Sequence, residues 1–197
     1  MKKALSTLDI AELLGVAVGS VSNWIDQNLL KAGRTPGGHR RVLARDLIEF
    51  LHKQNLPIPP ELLPDHPTVL VVDDEEPVTK WVAEVVQAEY PDCEVLRAHD
   101  GFSAGELVAS SKPVAVILDL QMPGMDGYEV CRRIKSKEQT RGIVVIAITA
   151  HYSLEVEKRI VDCGAKTCLP KPLDLAVLMN ELALALGREG RAKPSRS

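Results

Sequence analysis

Three apolar runs stand out in the last two thirds of the chain: Val69-Leu70-Val71-Val72, residues 114–118, and Ile143-Val144-Val145-Ile146-Ala147-Ile148. Each is continuous and rich in β-branched side chains, the pattern of strands buried on both faces of a parallel sheet. Between them the period changes. After Pro77, which suits a first helical turn, Val78, Trp81, Val82, Val85 and Val86 recur at helical spacing. The alternation predicts strands over residues 68–73, 94–98, 114–119, 142–149 and 167–170, and helices from 77 and over 101–111, 128–136, 153–162 and 173–186. Five β-α units in a row predict a parallel sheet with helices on both faces, because parallel neighbours need right-handed crossovers.

The first 53 residues have a different pattern. Ser6 and Thr7 precede Leu8, Ile10, Ala11, Leu13 and Leu14, which predicts a helix over 8–14, capped by Thr7 and ended by Gly15. A second helix over 18–28 groups Val21, Trp24, Ile25 and Leu29, leaving Gly19, Ser20, Ser22, Asn23, Asp26 and Gln27 outward. Residues 31–42 read as a hairpin with its tip at Thr35-Pro36-Gly37-Gly38, and 46–53 as a third helix. Residues 54–67 carry Pro57, Pro59, Pro60, Pro64 and Pro67, a linker between a domain over 1–53 and one over 68–187. As polyproline II, at about 3.1 Å per residue, it would hold the two roughly 40 Å apart; docking of Ile58, Leu62 and Leu63 on a domain is the alternative. The polar, basic residues 188–197 predict a disordered tail.

Charge divides along the same boundary. Residues 1–60 hold 8 Lys+Arg against 5 Asp+Glu, whereas the chain as a whole is at −3. A basic head on an acidic body points to nucleic acid for the first and cations for the second. With no run long enough to span a bilayer and a polar start after Lys2-Lys3, the expectation is a cytoplasmic protein without a membrane partner. Cys93, Cys131, Cys163 and Cys168 have no CxxC or metal-like spacing, so they are expected as reduced, mostly buried thiols.

Chemistry collects at the carboxyl ends of the predicted strands, where open parallel sheets place their sites. The first strand delivers Asp73 and Asp74, the third Asp119, the fourth Thr149, and the loop after the fifth Lys171 followed by Pro172. Three carboxylates in one pocket raise one another's pKa or require a cation, and an all-oxygen site with open positions suits Mg²⁺. Lys171 adds a point charge toward a phosphoryl oxygen and Thr149 a hydroxyl donor, which leaves Asp119 as a nucleophile toward phosphorus. A phosphatase built on an aspartate would want a carboxylate two residues after it; Gln121 stands there, so turnover of phosphoesters is not expected.

Asp73-Asp74, Asp119 with Met122-Pro123 and Asp126-Gly127, Thr149-Ala150 and Lys171-Pro172 together resemble the response-regulator receiver domain, over about 120 residues. The resemblance implies a flavodoxin-like five-stranded α/β fold, a phosphoryl group taken from a histidine kinase or a small phosphodonor, and a receiver that catalyses only its own phosphorylation and dephosphorylation. It also implies Mg²⁺ held by Asp73 or Asp74, Asp119 and the Gln121 carbonyl, with a cis bond before Pro172. Thr149, Cys168 and Pro172 fall at the switch positions. Cys168 departs from the pattern, which usually has an aromatic there; Tyr152 is a possible substitute. His151 and Gln121 are expected to border the path of attacking water and set the lifetime of the acyl phosphate.

The Leu-Gly-Val turn, the Val-Ser-Asn-Trp-Ile helix and the Arg-Thr-Pro-Gly-Gly-His-Arg-Arg loop are similar to the winged helix-turn-helix of the MerR and excisionase group, a small, mainly α domain. This implies DNA binding, with Ser20, Ser22, Asn23 and Gln27 toward the major groove and Arg34, His39, Arg40 and Arg41 on a wing against the backbone or minor groove. No Lys or Arg lies between Lys3 and Lys31. Four wing contacts would give a log-log salt slope of about −4 per head, so useful affinity requires two heads and predicts a homodimer; phosphorylation of Asp119 is expected to control that pairing. A receiver-linked adaptor whose head binds protein is the alternative.

Overall fold

The computed structural model describes residues 4–54, 56–122 and 124–188. Pro123, expected in a loop, and the end of the expected tail, residues 189–197, lie outside them.

The head opens with a short strand, β1 (Ala4–Leu5), that the sequence pattern does not signal. Helix α1 (Thr7–Leu14) follows, and its cap is Ser6 rather than Thr7: Ser6 Oγ accepts from the Asp9 amide while Asp9 reaches back to the Ser6 amide, a reciprocal capping box. Gly15, at φ +64°, ends the helix as expected. Helix α2 (Val18–Asp26) stops two residues earlier than its apolar spacing suggests. Leu29 is accordingly exposed, and Leu30 turns into the core instead. The wing is a hairpin of β2 (Gly33–Arg34) and β3 (Arg40–Leu43), and β1 pairs with the other edge of β3. Helix α3 (Ala44–Lys53) closes the domain, with the Trp24 and Phe50 rings 4.9 Å apart between α2 and α3.

The linker is a strap, not a spacer. Ile58 and Leu62 are buried in the head's own core, the second within a short 3₁₀ turn, Pro60–Leu62. Removing a side chain such as Ile58 from water is worth about 2 kcal/mol, and an extended proline rod would forgo it.

The body contains β4 (Thr68–Val72), α4 (Glu76–Glu89), β5 (Glu94–Ala98), α5 (Gly101–Ser111) and β6 (Ala115–Asp119). A small ribbon of β7 (Gln121–Met122) and β8 (Met125–Asp126) then leads into α6 (Gly127–Ser136), β9 (Val144–Thr149), α7 (Leu154–Asp162), β10 (Thr167–Pro170) and α8 (Leu175–Ala185). The five long strands are parallel in the order β10-β9-β6-β4-β5, the flavodoxin-like order read from the other edge. One apolar layer lies on each face: Leu70, Val116, Val145 and Ala147 pack under α5, α6 and α7, while Val69, Val71, Ile117 and Ile146 pack under α4 and α8. Every residue of β4, β6 and β9 is buried, which explains their unbroken apolar runs. Asp100, Asp126, Ser153 and Asp174 cap α5, α6, α7 and α8 in turn. Among the described residues no single helix is long and apolar enough to cross a membrane.

Head and body are in contact at the amino edge of the sheet. Asp46 of α3, 6% exposed, pairs with Arg141, and Arg45 pairs with Glu138. A Cβ at Gly142 would lie 3.3 Å from the Arg45 carbonyl, so the two backbones approach closely there. Arg188, expected at the start of the tail, instead pairs with Asp92 and lies 4.8 Å over the Tyr90 ring.

His52 sits in this junction, where burial first, then the charges of Lys135 and Lys166, lower its pKa from 6.5 to about 3. A histidine depressed in the folded state withholds a proton that the unfolded chain accepts below pH 6.5. Its contribution to stability is therefore lost as pH falls from about 6.5 toward 3. The melting temperature of the parent chain should drop relative to that of His52→Gln over this window; parallel curves from pH 7 to 4 would contradict the assignment.

Candidate functional site at the carboxyl edge of the sheet

The topology reverses between β4 and β6, and the crevice there receives their carboxyl ends. Asp73 follows β4 and Asp119 ends β6, and because Val72 pairs with Leu118 the two carboxylates emerge side by side. Both are buried, whereas Asp74 is exposed. One oxygen from each of Asp73, Asp74 and Asp119 lies within 4.8 Å of the others. The Glu75 amide donates to Asp73 Oδ1 over 3.0 Å and holds the first carboxylate in place.

Lys171 closes the pocket from the loop after β10. Its Nζ is 2.6 Å from Asp73 Oδ2 and 3.5 Å from Asp119 Oδ1, and its amide donates to the Thr149 carbonyl. The Lys171-Pro172 peptide is cis, as expected. Burial alone would lower the Lys171 ammonium; the hydrogen bond to Asp73 and the charges of both carboxylates outweigh it and raise the pKa. Burial pushes Asp119 up to about 6, with Lys171 opposing and the Asp73 charge adding to the rise. Asp119 Oδ1 is buried and accepts no hydrogen bond. One lysine, paired with two of three carboxylates, leaves negative charge over, so the donor set fits a hard divalent cation.

Thr149, buried at the end of β9, accepts from the His151 amide over 3.1 Å, which leaves its O–H free to donate elsewhere. His151 Nδ1 lies 2.7 Å from Gln121 Oε1, so these two exposed residues form one rim. Cys168 is buried in the apolar layer under α7, and burial raises its thiol to about 11, the state of an inert filler rather than a sensor. Tyr152 is turned outward and donates to Glu157 over 2.6 Å. Pro172 is exposed.

Gly127 contributes in a way its sequence position alone does not signal. A Cβ there would stand 2.5 Å from the Asp119 carbonyl and 2.7 Å from Leu120 Cα, so the start of α6 is pressed against the backbone that carries Asp119. The hint in the sequence is a glycine directly after the capping residue Asp126.

A family model described as the response regulator receiver domain matches residues 69–183, and one described as a helix-turn-helix domain matches 4–55. The chain belongs to the response regulator receiver family. It is 37% identical over 120 residues to the response regulator MprA of Mycobacterium ulcerans, covering 61% of this chain and 50% of that one. To the DNA-binding dual master transcriptional regulator RpaA of Synechocystis it is 30% identical over 125 residues, 64% of this chain and 51% of that one. The chain thus spans about half the length of the curated relatives it matches. Among solved structures, the signal receiver domain of a DNA binding response regulator protein (merR) from Colwellia psychrerythraea is similar with a TM-score of 0.57 and 35% identity, over 59% of this chain and 94% of that one.

In front of this receiver, the helix-turn-helix domain presents its candidate contacts unevenly. Asn23 and Gln27 are exposed on or just after α2, and Ser20 and Ser22 are half-buried. Arg34 and His39 stand exposed on the wing; Arg34 donates to the Gly38 carbonyl and half-buried Arg41 to the Arg40 carbonyl. Arg40 is committed elsewhere: its guanidinium pairs with Asp26 at 2.6 Å and donates to the Ser22 carbonyl, stapling the wing to α2. Arg40 and Asp26 neutralise each other on this face.

Gly127→Ala should cost about 1–3 kcal/mol, because the added methyl meets backbone that cannot step aside. Urea unfolding measures it, and an unchanged midpoint would show that the close approach carries no constraint.

Proposed function

We propose that the chain is a two-component response regulator in which Asp119 accepts a phosphoryl group from a histidine kinase or a small phosphodonor. Its phosphorylation state then controls DNA binding by the N-terminal domain through a homodimer. The observation that carries this reading is the buried Asp119 Oδ1 at the strand edge, which accepts no hydrogen bond, with Asp73, Asp74 and Lys171 around it. An Asp119 oxygen attacks phosphorus as the bond to the donor breaks. Lys171 Nζ, already within reach of Asp119, pairs with a phosphoryl oxygen, and the Thr149 O–H donates to another. Mg²⁺ held by Asp73 or Asp74, Asp119 and the Gln121 carbonyl would supply the charge that neutralises the remaining phosphoryl oxygens.

The same residues connect chemistry to readout. Drawing Thr149 toward the phosphoryl group moves the backbone joining β9 to α7, and with it the exposed Tyr152 and Leu154. With Cys168 too small to follow, that loop carries the change, and a new pairing of two chains aligns two heads. The receiver acts on no substrate beyond its own acyl phosphate, and a cytoplasmic setting, where kinases and DNA meet, fits this role.

Acetyl phosphate or beryllofluoride with Mg²⁺ should shift the chain from monomer to dimer and increase retention of its DNA, whereas Asp119→Asn should respond to neither. Light scattering and a mobility-shift assay read the two effects, and an unaltered parent chain would reduce the receiver to a scaffold. Gln121→Ala and His151→Ala should change the rate of loss of [³²P]phosphate from Asp119 by roughly tenfold, about the worth of one hydrogen bond to the attacking water; unchanged decay would remove both from that role.

One observation favours a second reading, an adaptor whose head binds protein. With Arg40 held by Asp26, the wing offers Arg34, His39 and Arg41, and the expected salt slope falls from about −4 to about −3 per head. Retention of no genomic fragment at low salt, in either phosphorylation state, would favour the adaptor.

A further inference from the structure

A recess of about 410 Å³ lies between head and body at the amino edge of the sheet, opposite Asp119. Glu49, His52 and Lys53 of α3 line one wall; Lys135, Arg141 and Lys166 of the receiver line the other. Four of these six side chains are cationic, and Glu49 is the one carboxylate among the described lining residues. The Glu49 charge is shared, with Lys53 Nζ at 2.9 Å and Arg141 Nε at 3.3 Å, while Asp46 holds the other side of Arg141. Lys135 Nζ donates to the Arg141 and Ile143 carbonyls at 3.1 and 2.5 Å, which satisfies hydrogen bonds without neutralising charge.

Three further features make the recess a built site. His52 Nε2 is buried and has no hydrogen-bond partner. Burial lowers the Lys135 ammonium to about 8; Cys131 and Glu49 oppose this, and the charge of Lys53 adds to it, the condition of a cation short of a counterion. Gly164, at φ +100°, leaves the stem of Lys135 its space: a Cβ there would stand 2.7 Å from Lys135 Cγ.

We propose that this recess binds a small phosphate-bearing ligand, of nucleotide size or below, whose anionic groups meet Lys53, Lys135 and Lys166 and whose oxygen accepts from His52. Pockets of a few hundred Å³ at domain junctions suit such ligands. A duplex, far wider than the recess, would reach only its mouth. Because the walls belong to different domains, occupancy stabilises the docked arrangement of head and receiver over any in which they separate. The recess is then an input to head position that is independent of Asp119.

The test uses the full chain in EDTA, so that the acidic pocket does not recruit a metal–phosphate complex. Calorimetric titration with pyrophosphate, and separately with ATP, should give one site per chain, and both should raise the melting temperature beyond sodium chloride at equal ionic strength. Lys53→Gln with Lys166→Gln should weaken binding about tenfold, roughly the 1.4 kcal/mol expected of two lost charge-assisted contacts in solvent. Lys53→Gln alone, at an exposed position, keeps the test valid should the double variant fold poorly, and should weaken binding about threefold. Asp119→Asn should bind as the parent does. No heat and no shift beyond chloride, or equal affinity in both lysine variants, would overturn the proposal. Displacement of pyrophosphate by a short duplex that the head retains would assign the recess to the DNA backbone and overturn it equally.

Discussion

Three carboxylates within 4.8 Å of one another, two of them buried, are a standing electrostatic cost, and much of the receiver is arranged around it. One lysine cannot settle the account. Lys171 is drawn to Asp73 at 2.6 Å and to Asp119 at 3.5 Å, and burial still pushes Asp119 up to about 6, with one oxygen accepting no hydrogen bond. A site left short of positive charge in this way fits a hard divalent cation.

The sheet bears that cost. Fully buried β4, β6 and β9 supply a rigid frame with an apolar layer on each face, and their parallel register brings the ends of non-adjacent segments to one edge. Backbone contacts then fix distances that side chains alone could not. Gly127 admits α6 against the Asp119 carbonyl, and the Lys171 amide is tied to the Thr149 carbonyl. In the switch proposed above, a movement of Thr149 would pass through the main chain toward α7, with Cys168 too small to share it.

The head follows a different economy. Its core is small, and the strap completes it with Ile58 and Leu62 before the chain enters the receiver. The junction with the receiver is polar, built on Asp46 with Arg141 and Arg45 with Glu138. Of the two, the Arg45–Glu138 pair is open to water, whereas Asp46 is buried and depends on Arg141 to balance its charge.

Alternating strand and helix periods, the carboxyl-edge motifs and the glycine-tipped basic wing were legible in the sequence alone, because each is a property of neighbouring residues. Asp73, Asp74, Asp119, Thr149 and Lys171 fall at the ends of predicted strands, so the composition of the pocket follows from the sequence, and the fold brings those five to one edge; the flavodoxin-like sheet was implied only by the family resemblance. What the tertiary structure alone decided concerns pairs far apart in the chain. Nothing local to Arg40 says that Asp26 holds it, nothing local to Leu29 and Leu30 says which is buried, and a proline-rich segment is as compatible with a rod as with a strap. The meeting of α3 with the amino edge of the sheet is of the same kind, since its ion pairs join residues about a hundred positions apart. Periodicity reports which face of an element is apolar, whereas the partner that covers that face, or the charge that meets an arginine, is set by packing in three dimensions.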